Sequence, residues 1–396
     1  MPCLYRKKTN KTKMTTNNQI PKLRFSEFFD AWENKKIEDL LQIKYGKDQK
    51  QVICDNGKYP ILGTGGEMGR TNSFLFDKPS VLIGRKGTID KPKYMDTPFW
   101  TVDTLFYTDI FQNTFPKWLF YKFETINWYL YNEASGVPSL SGSTIYKIPV
   151  NIPSLPEQTK IATFLTAVDE KLTQLKRKKE LLSQYKNGIM QQIFSQKLRF
   201  KDDNGNDFED WEEKKLGEVS DVRDGTHDSQ KYIEKGYPFI TSKNLLKNGN
   251  IDFENVSYIS EKDYKKINER SKVNINDILF GMIGTIGNPV LVKNDGFAIK
   301  NVALIKEKKG LLNIYLIHFL KGGSITQQFF EQNTGGTQKF LSLSVVRSLL
   351  INLPCLSEQT KIANFLSALD EKISNAENKI TKLEQWKKGL LQSMFC

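Results

Sequence analysis

NIPSLPEQTKIATFL at residues 151–165 returns 201 residues later as NLPCLSEQTKIANFL at 352–366, and the offset holds without a gap to Phe194 and Phe395. Upstream of each copy the same landmarks recur. Leu23-Arg24-Phe25 returns as Leu198-Arg199-Phe200, and the Trp-Glu-x-Lys-Lys of 32–36 returns at 211–215. The chain is an internal repeat, each half a globular segment followed by one helix, which gives a single polypeptide two related surfaces.

From 157 to 195 there is no proline and only one glycine, Gly188. Apolar residues step by fours and threes: Ile161, Leu165, Val168, Leu172, Leu175, Leu182, Ile189 and Ile193, with Lys179 and Lys186 in the skipped places. The second copy has Ile362, Leu366, Leu369, Ile373, Ala376, Ile380, Leu383, Leu390 and Met394, with Lys387 in its gap. A seven-residue repeat over about five heptads is the pattern of a coiled-coil seam. It is longer and narrower than a helix lying on its own domain needs. Each helix, roughly 39 residues long, would span about 58 Å at ~1.5 Å per residue. Lys186 and Lys387 are equivalent, so a parallel pair in register would set two ammonium groups side by side in a dry interface, which is costly. Antiparallel pairing separates them and leaves each near a negative helix end. The pattern therefore predicts an antiparallel pair with a globular segment at either end.

Within the globular segments, the YPILGT of 59–64 matches YPFITS at 237–242, and VLIGRKGTI at 81–89 matches ILFGMIGTI at 278–286. Runs of this kind followed by Gly-x-x-Gly read as strands entering tight turns. Short strands at 99–106 and 298–305 then precede helical stretches near 118–131 and 314–330, giving a mixed α/β domain in each half. The framework agrees between copies, whereas the loops differ: Lys44, Tyr45 and Lys47 face Arg223, Thr226 and His227; Thr64 faces Ser242, Lys243 and Asn244; Arg85 and Lys86 face Met282 and Ile283. Two equal scaffolds with different loops suggest readers of two different half-sites. Arg, Lys, Asn, Ser and Thr are the side chains that bond base edges and phosphates.

Composition agrees with such a role. A net charge of +13 favours a polyanionic partner through counterion release, although a lysine-rich composition also serves solubility. No apolar run reaches the length of a membrane span. Cys3, Cys54, Cys355 and Cys396 lack the paired spacing of a zinc site and read as reduced thiols of a cytoplasmic protein. Only His227 and His318 are present, which removes most imidazole and metal chemistry. There is no P-loop motif and no Asp/Asn-Pro-Pro-Tyr/Phe tetrapeptide of the kind that holds a flipped base. Asp295, Glu307 and Lys309 could compose a nuclease triple, but in a chain with 26% charged residues such a set is expected by chance.

The twofold layout, the Pro-x-Leu-x-Glu-Gln-x-Lys-Ile-Ala-x-Phe-Leu opening of both helices and the Asp-Gly-Thr-His loop at 224–227 resemble type I restriction-modification specificity subunits, from Leu23 to Phe395. The resemblance implies an α+β architecture with an internal pseudo-twofold repeat: two mixed α/β target-recognition domains joined and spaced by an antiparallel coiled coil. The corresponding bounds are a disordered basic tail at 1–22, domains at 23–153 and 197–354, a central helix at 154–196 and a C-terminal helix at 355–396. It implies recognition of a bipartite double-stranded DNA target, and no catalytic site or cofactor in this chain. S-adenosylmethionine, ATP and Mg belong to its partners, two modification (methyltransferase) subunits and the restriction subunits. Candidate DNA contacts are Lys44, Tyr45, Lys47, Thr64, Arg70, Asn72, Arg85, Lys86, Thr88, Arg223, Thr226, His227, Ser242, Lys243, Asn244, Thr285 and Lys339. The alternative is an autonomous DNA methyltransferase or nuclease with a duplicated recognition region.

Overall fold

The computed structural model describes residues 4–6, 20–284, 286–332 and 341–396. Two compact units divide the chain: Met1–Arg177 with Glu377–Cys396, and Lys178–Ala376. The central helix runs from Leu155–Phe194 and the C-terminal helix from Leu356–Met394. Each unit takes half of both helices.

The Glu-Gln pair that opens each helix explains why the motif is written twice. Glu157 and Glu358 are fully buried, and a carboxylate there must be paired. In the first unit Arg24 donates to it from Nε and Nη2, both at 2.7 Å, and Trp32 Nε1 donates at 3.3 Å. The second unit repeats this with Arg199 at 3.2 and 2.8 Å and Trp211 at 2.8 Å. The Leu-Arg-Phe and Trp-Glu landmarks are thus the two partners of one buried anion. The neighbouring Gln158 accepts from Phe115 N at 2.7 Å, the residue preceding helix Pro116–Glu124, and donates to Pro153 O at 2.9 Å. Gln359 does the same with Leu312 N, before helix Asn313–Leu320, and with Pro354 O, each at 2.8 Å.

Each unit carries the same three small sheets. In the first, Leu41–Tyr45, Leu105–Ile110, Ser80–Gly84 and Lys93–Met95 form an antiparallel sheet in that order, and Gly66–Thr71, Tyr59–Gly63 and Trp100–Thr101 form another. In the second, Asp221–Asp224, Val302–Lys306, Ile278–Gly281 and Gly287–Leu291 match the former, and Ser257–Ile259, Tyr237–Thr241 and Ala298–Lys300 the latter. Strand Glu33–Lys36 pairs with Pro149–Ile152, and Glu212–Lys215 with Leu350–Leu353, closing each globular segment where its helix begins.

The structure departs from two expectations. The strands expected at 99–106 and 298–305 are each broken in two, because the first piece pairs in parallel with the centre of one sheet and the second joins the other sheet. Of the tail expected to be disordered, Leu4–Arg6 pairs with strand Leu23–Phe25, which offers it an open edge. Residues 7–19 lie outside the described residues.

Within each unit the start of one long helix packs on the end of the other, so the pair is antiparallel. Ile161, Leu165, Val168 and Leu172 are buried in the first unit, as are Ile380, Leu390 and Met394; Ile362, Leu366, Leu369 and Ala376 are buried in the second, with Met190 and Ile193. Leu175, Leu182, Ile373 and Leu383 are half-buried. Ile161, Leu165 and Val168 share one core with Trp32, Trp118 and Phe395, so the helix ends complete the domain cores and are not a free-standing zipper. Lys186 and Lys387 each find a carboxylate on the facing helix, and Lys387 also reaches the end of the short helix Pro116–Glu124. Lys186 meets Asp370 at 2.5 Å, and Lys387 meets Asp169 at 2.8 Å and Glu124 at 3.1 Å. Asp169 also accepts from Tyr121 at 2.8 Å; in the second unit His318 lies against Asp370, 3.7 Å away, and Ser367, 3.2 Å away.

Replacing Glu358 with Ala leaves Arg199 and Trp211 without their buried acceptor and should cost about 3–5 kcal/mol in urea unfolding; a loss below about 1 kcal/mol would show that the carboxylate is not what holds the unit. Burial and Lys186 push His318 down to about 3, against the pull of Asp370. The unfolded chain then binds a proton near pH 6.5 that the folded chain refuses, so stability falls as pH drops from about 6.5 toward 3. Thermal unfolding of His318→Gln between pH 5 and 7 should show a weaker pH dependence than the parent chain.

Candidate nucleic-acid interface

In the first unit the strand ends Tyr45, Gly63 and Gly84 turn into loops beside the broken strand. Gly46 is required there: a Cβ would fall 2.1 Å from Val102 O. Lys47 is fixed by its own backbone, whose N–H donates to Thr101 O at 2.8 Å and whose carbonyl accepts from Trp100 Nε1 at 3.0 Å. Arg85 lies 5.6 Å from the ring centroid of Tyr45 and donates to Asp103 O at 3.2 Å. Gly87, at φ 86°, faces Thr64 Oγ1, and its N–H donates to Pro138 O at 2.8 Å. Lys44, Tyr45, Lys47, Thr64, Arg85, Lys86 and Thr88 therefore sit on the loops and strand ends of one framework. Lys47 and Lys86 are exposed and have no ion-pair partner among the described residues.

Arg70 and Asn72 are exposed and also tie down a loop. Arg70 donates to Gly57 O at 2.7 Å, Lys58 O at 2.9 Å and Glu67 at 3.0 Å, while Asn72 accepts from Lys58 N at 3.1 Å. They hold the 54–58 loop on strand Gly66–Thr71.

The second unit builds the same corner with other chemistry. A Cβ on Gly225 would fall 2.3 Å from Ile299 O, and Thr226 N donates to that carbonyl at 3.1 Å. Arg223 grips Asp221 at 2.9 and 2.7 Å, which holds that carboxyl below the usual carboxylate range, and donates from Nη1 to Arg270 O at 2.9 Å. His227 is exposed, yet both ring nitrogens are engaged, Nε2 with Asp224 at 2.8 Å and Nδ1 with Asn301 Oδ1 at 2.7 Å. Lys243 is exposed and has no ion-pair partner among the described residues.

Ser242 and Asn244, expected to touch DNA, are buried. Ser242 Oγ donates to Asn301 O at 3.1 Å and accepts from Met282 N; Asn244 Oδ1 accepts from Thr241 N at 2.9 Å and its amide donates to Asn255 O at 3.0 Å. The side chains of Ser242 and Asn244 are satisfied inside the turn and are not free to meet a base. Thr285 and Lys339 lie outside the described residues. Sequence reasoning passed over Asp224, Arg270 and Asn301; the lysine-rich segment 261–272, which lies in the longer interval of the second copy, was the signal that could have found Arg270.

Among the described residues no cluster of three or more His, Cys, Asp or Glu is placed to hold a metal ion, and no helix is long and apolar enough to cross a membrane. Glu307 of the nuclease triple accepts from Asn313 N at 2.8 Å at the start of helix Asn313–Leu320.

The family described as the type I restriction modification DNA specificity domain matches residues 30–183 and again 208–385. The chain belongs to this family: it is a type I restriction-modification specificity subunit with two tandem recognition domains. The specificity subunit of the type I restriction enzyme MjaIX of Methanocaldococcus jannaschii is 27% identical over 413 residues, covering 92% of each chain. The MjaVIII specificity subunit of the same organism is 25% identical, covering 91% of this chain and 83% of that one. The crystal structure of the S subunit of a type I system from M. genitalium shares the fold with a TM-score of 0.66 at 18% identity, over 95% of this chain and 99% of that one.

Because Gly46 and Gly225 touch backbone, Gly225→Ala should displace the 223–227 loop. The expected result is weaker binding of specific DNA with the melting temperature of the first unit unchanged; an unaltered affinity would show that the loop is not part of the interface.

Proposed function

We propose that the chain is the non-catalytic reader of a bipartite double-stranded DNA target, each recognition domain reading one half and the helical pair setting the interval between them. The observation that carries this reading is that one strand framework, built twice, ends in two different loop sets around Gly46 and Gly225. The exposed Lys47, Lys86 and Lys243 and the net charge of +13 suit phosphate contacts that position the loops. In this reading the centres of the half-sites lie about one DNA turn apart, ~34 to 36 Å.

The chain works in the cytoplasm with two modification subunits, which bring S-adenosylmethionine and methylate, and with restriction subunits that use ATP and Mg. Tyr185 and Trp386, equivalent under the repeat, are 51% and 47% exposed on the long helices and offer the aromatic anchors a docked subunit needs.

Methylome sequencing of a host carrying the complete system tests this. Exchanging residues 44–144 for those of another specificity subunit should change one half of the methylated motif; a change in both halves would refute independent readers. Removing one heptad between 165 and 182 should shorten or abolish the permitted spacer with both half-sites intact, and altered half-sites at a constant spacer would contradict the ruler. Purified alone, the chain should methylate nothing.

A further inference from the structure

Tyr45 and Asp224 occupy the same position of the framework. Tyr45 pairs with Phe106 and Asp224 with Ala303 in equivalent strands, and each precedes the glycine that packs on the broken strand. In both units this position seats an arginine. Arg85 lies over the Tyr45 ring. In the second copy the residue matching Arg85 is Met282, which is buried, so that arginine is lost. Its place is taken from elsewhere: Arg270, on the helix Glu261–Ser271, forms an ion pair with Asp224. The first unit has no helix in the corresponding interval between Tyr59–Gly63 and Ser80–Gly84.

The seat is rigid. The Asp224 side chain is only 10% exposed, whereas that of Arg270 is 66% exposed. Asp224 is held on its other oxygen by His227, His227 by Asn301, and the Arg270 carbonyl by Arg223. Arg270 Nε and Nη1 have no protein partner among the described residues. Nη2, anchored on Asp224, carries a second N–H, so together with Nη1 it can still present two adjacent donors, and the anchor lowers the cost of ordering the side chain on a ligand. The natural ligand of such a fork in a DNA groove is the O6/N7 edge of guanine.

We propose that Arg270 is the guanine-reading arginine of the second recognition domain, the counterpart of Arg85 in the first, and that Asp224 and His227 are positioning residues that aim it. His227, whose ring nitrogens are both consumed, does not itself read a base. The assignment rests on the proposal that each domain reads one half-site.

The test is methylome sequencing with the complete system carrying Arg270→Ala, Arg270→Lys, Asp224→Asn or Arg85→Ala. Both Arg270 variants should relax discrimination at one base pair of one half-site by roughly 5- to 150-fold, the range a bidentate guanine contact supplies. Lysine keeps the charge but not the fork. Asp224→Asn should relax that same position, an outcome general destabilisation would not give, and Arg85→Ala should relax one position of the other half-site. An unchanged motif with evenly reduced methylation would mean a phosphate contact and overturn the proposal. So would a lysine variant that reads like the parent. If Arg270→Ala abolishes methylation altogether, Arg270→Lys decides on the same criterion. If exchange of the whole second domain also leaves both half-sites unchanged, the half-site reading itself fails; if only the arginine variants do, the failure is confined to Arg270.

Discussion

A buried carboxylate at the start of each long helix is the constraint on which the structure depends. Glu157 and Glu358 sit in apolar cores where an unpaired anion would be intolerable, and each takes a bidentate arginine and a tryptophan N–H. Those partners come from the entry of the globular segment, more than a hundred residues earlier in the chain. One interaction therefore fixes where each segment begins, where its helix begins, and how the two meet. The adjacent glutamine adds the first turn of a second helix to the same junction.

From that junction the framework is rebuilt almost strand for strand, and its shared features are backbone features. Gly46 and Gly225 allow a loop to lie against the broken strand, and the loop is then held by N–H groups whatever its side chains are. Side chains on this shared backbone can therefore differ between the two units. One unit accordingly seats an arginine on a tyrosine ring and the other on a carboxylate. Divergence of the readers without divergence of the fold has its physical origin here.

The helices obey the same logic with charges. Lys186 to Asp370 and Lys387 to Asp169 are one interaction seen twice, each cation meeting an anion of the facing helix. Around these pairs the copies have drifted: Tyr121 donates to Asp169, whereas His318, kept neutral by burial and by Lys186, lies against Asp370.

The repeat, the antiparallel seam and the paired framework strands were legible in the sequence because periodicity and duplication are local or self-referential properties. Ile161, Leu165, Ile362 and Leu366 announce a buried helix face by spacing alone. The roles of Glu157, Arg24 and Trp32 were not legible, although all three stood in recognisable motifs, since a hydrogen bond across 133 residues leaves no trace in spacing. For the same reason Ser242 and Asn244 looked like DNA contacts until their partners were known, and Arg270 did not, since the residue aligned with Arg85 is Met282. Sequence by itself determined how many times the architecture is built and along which faces it packs. Tertiary structure alone decided which polar side chains are spent holding the loops and which remain free to meet a ligand, because that depends on where the chain places each donor and acceptor in space.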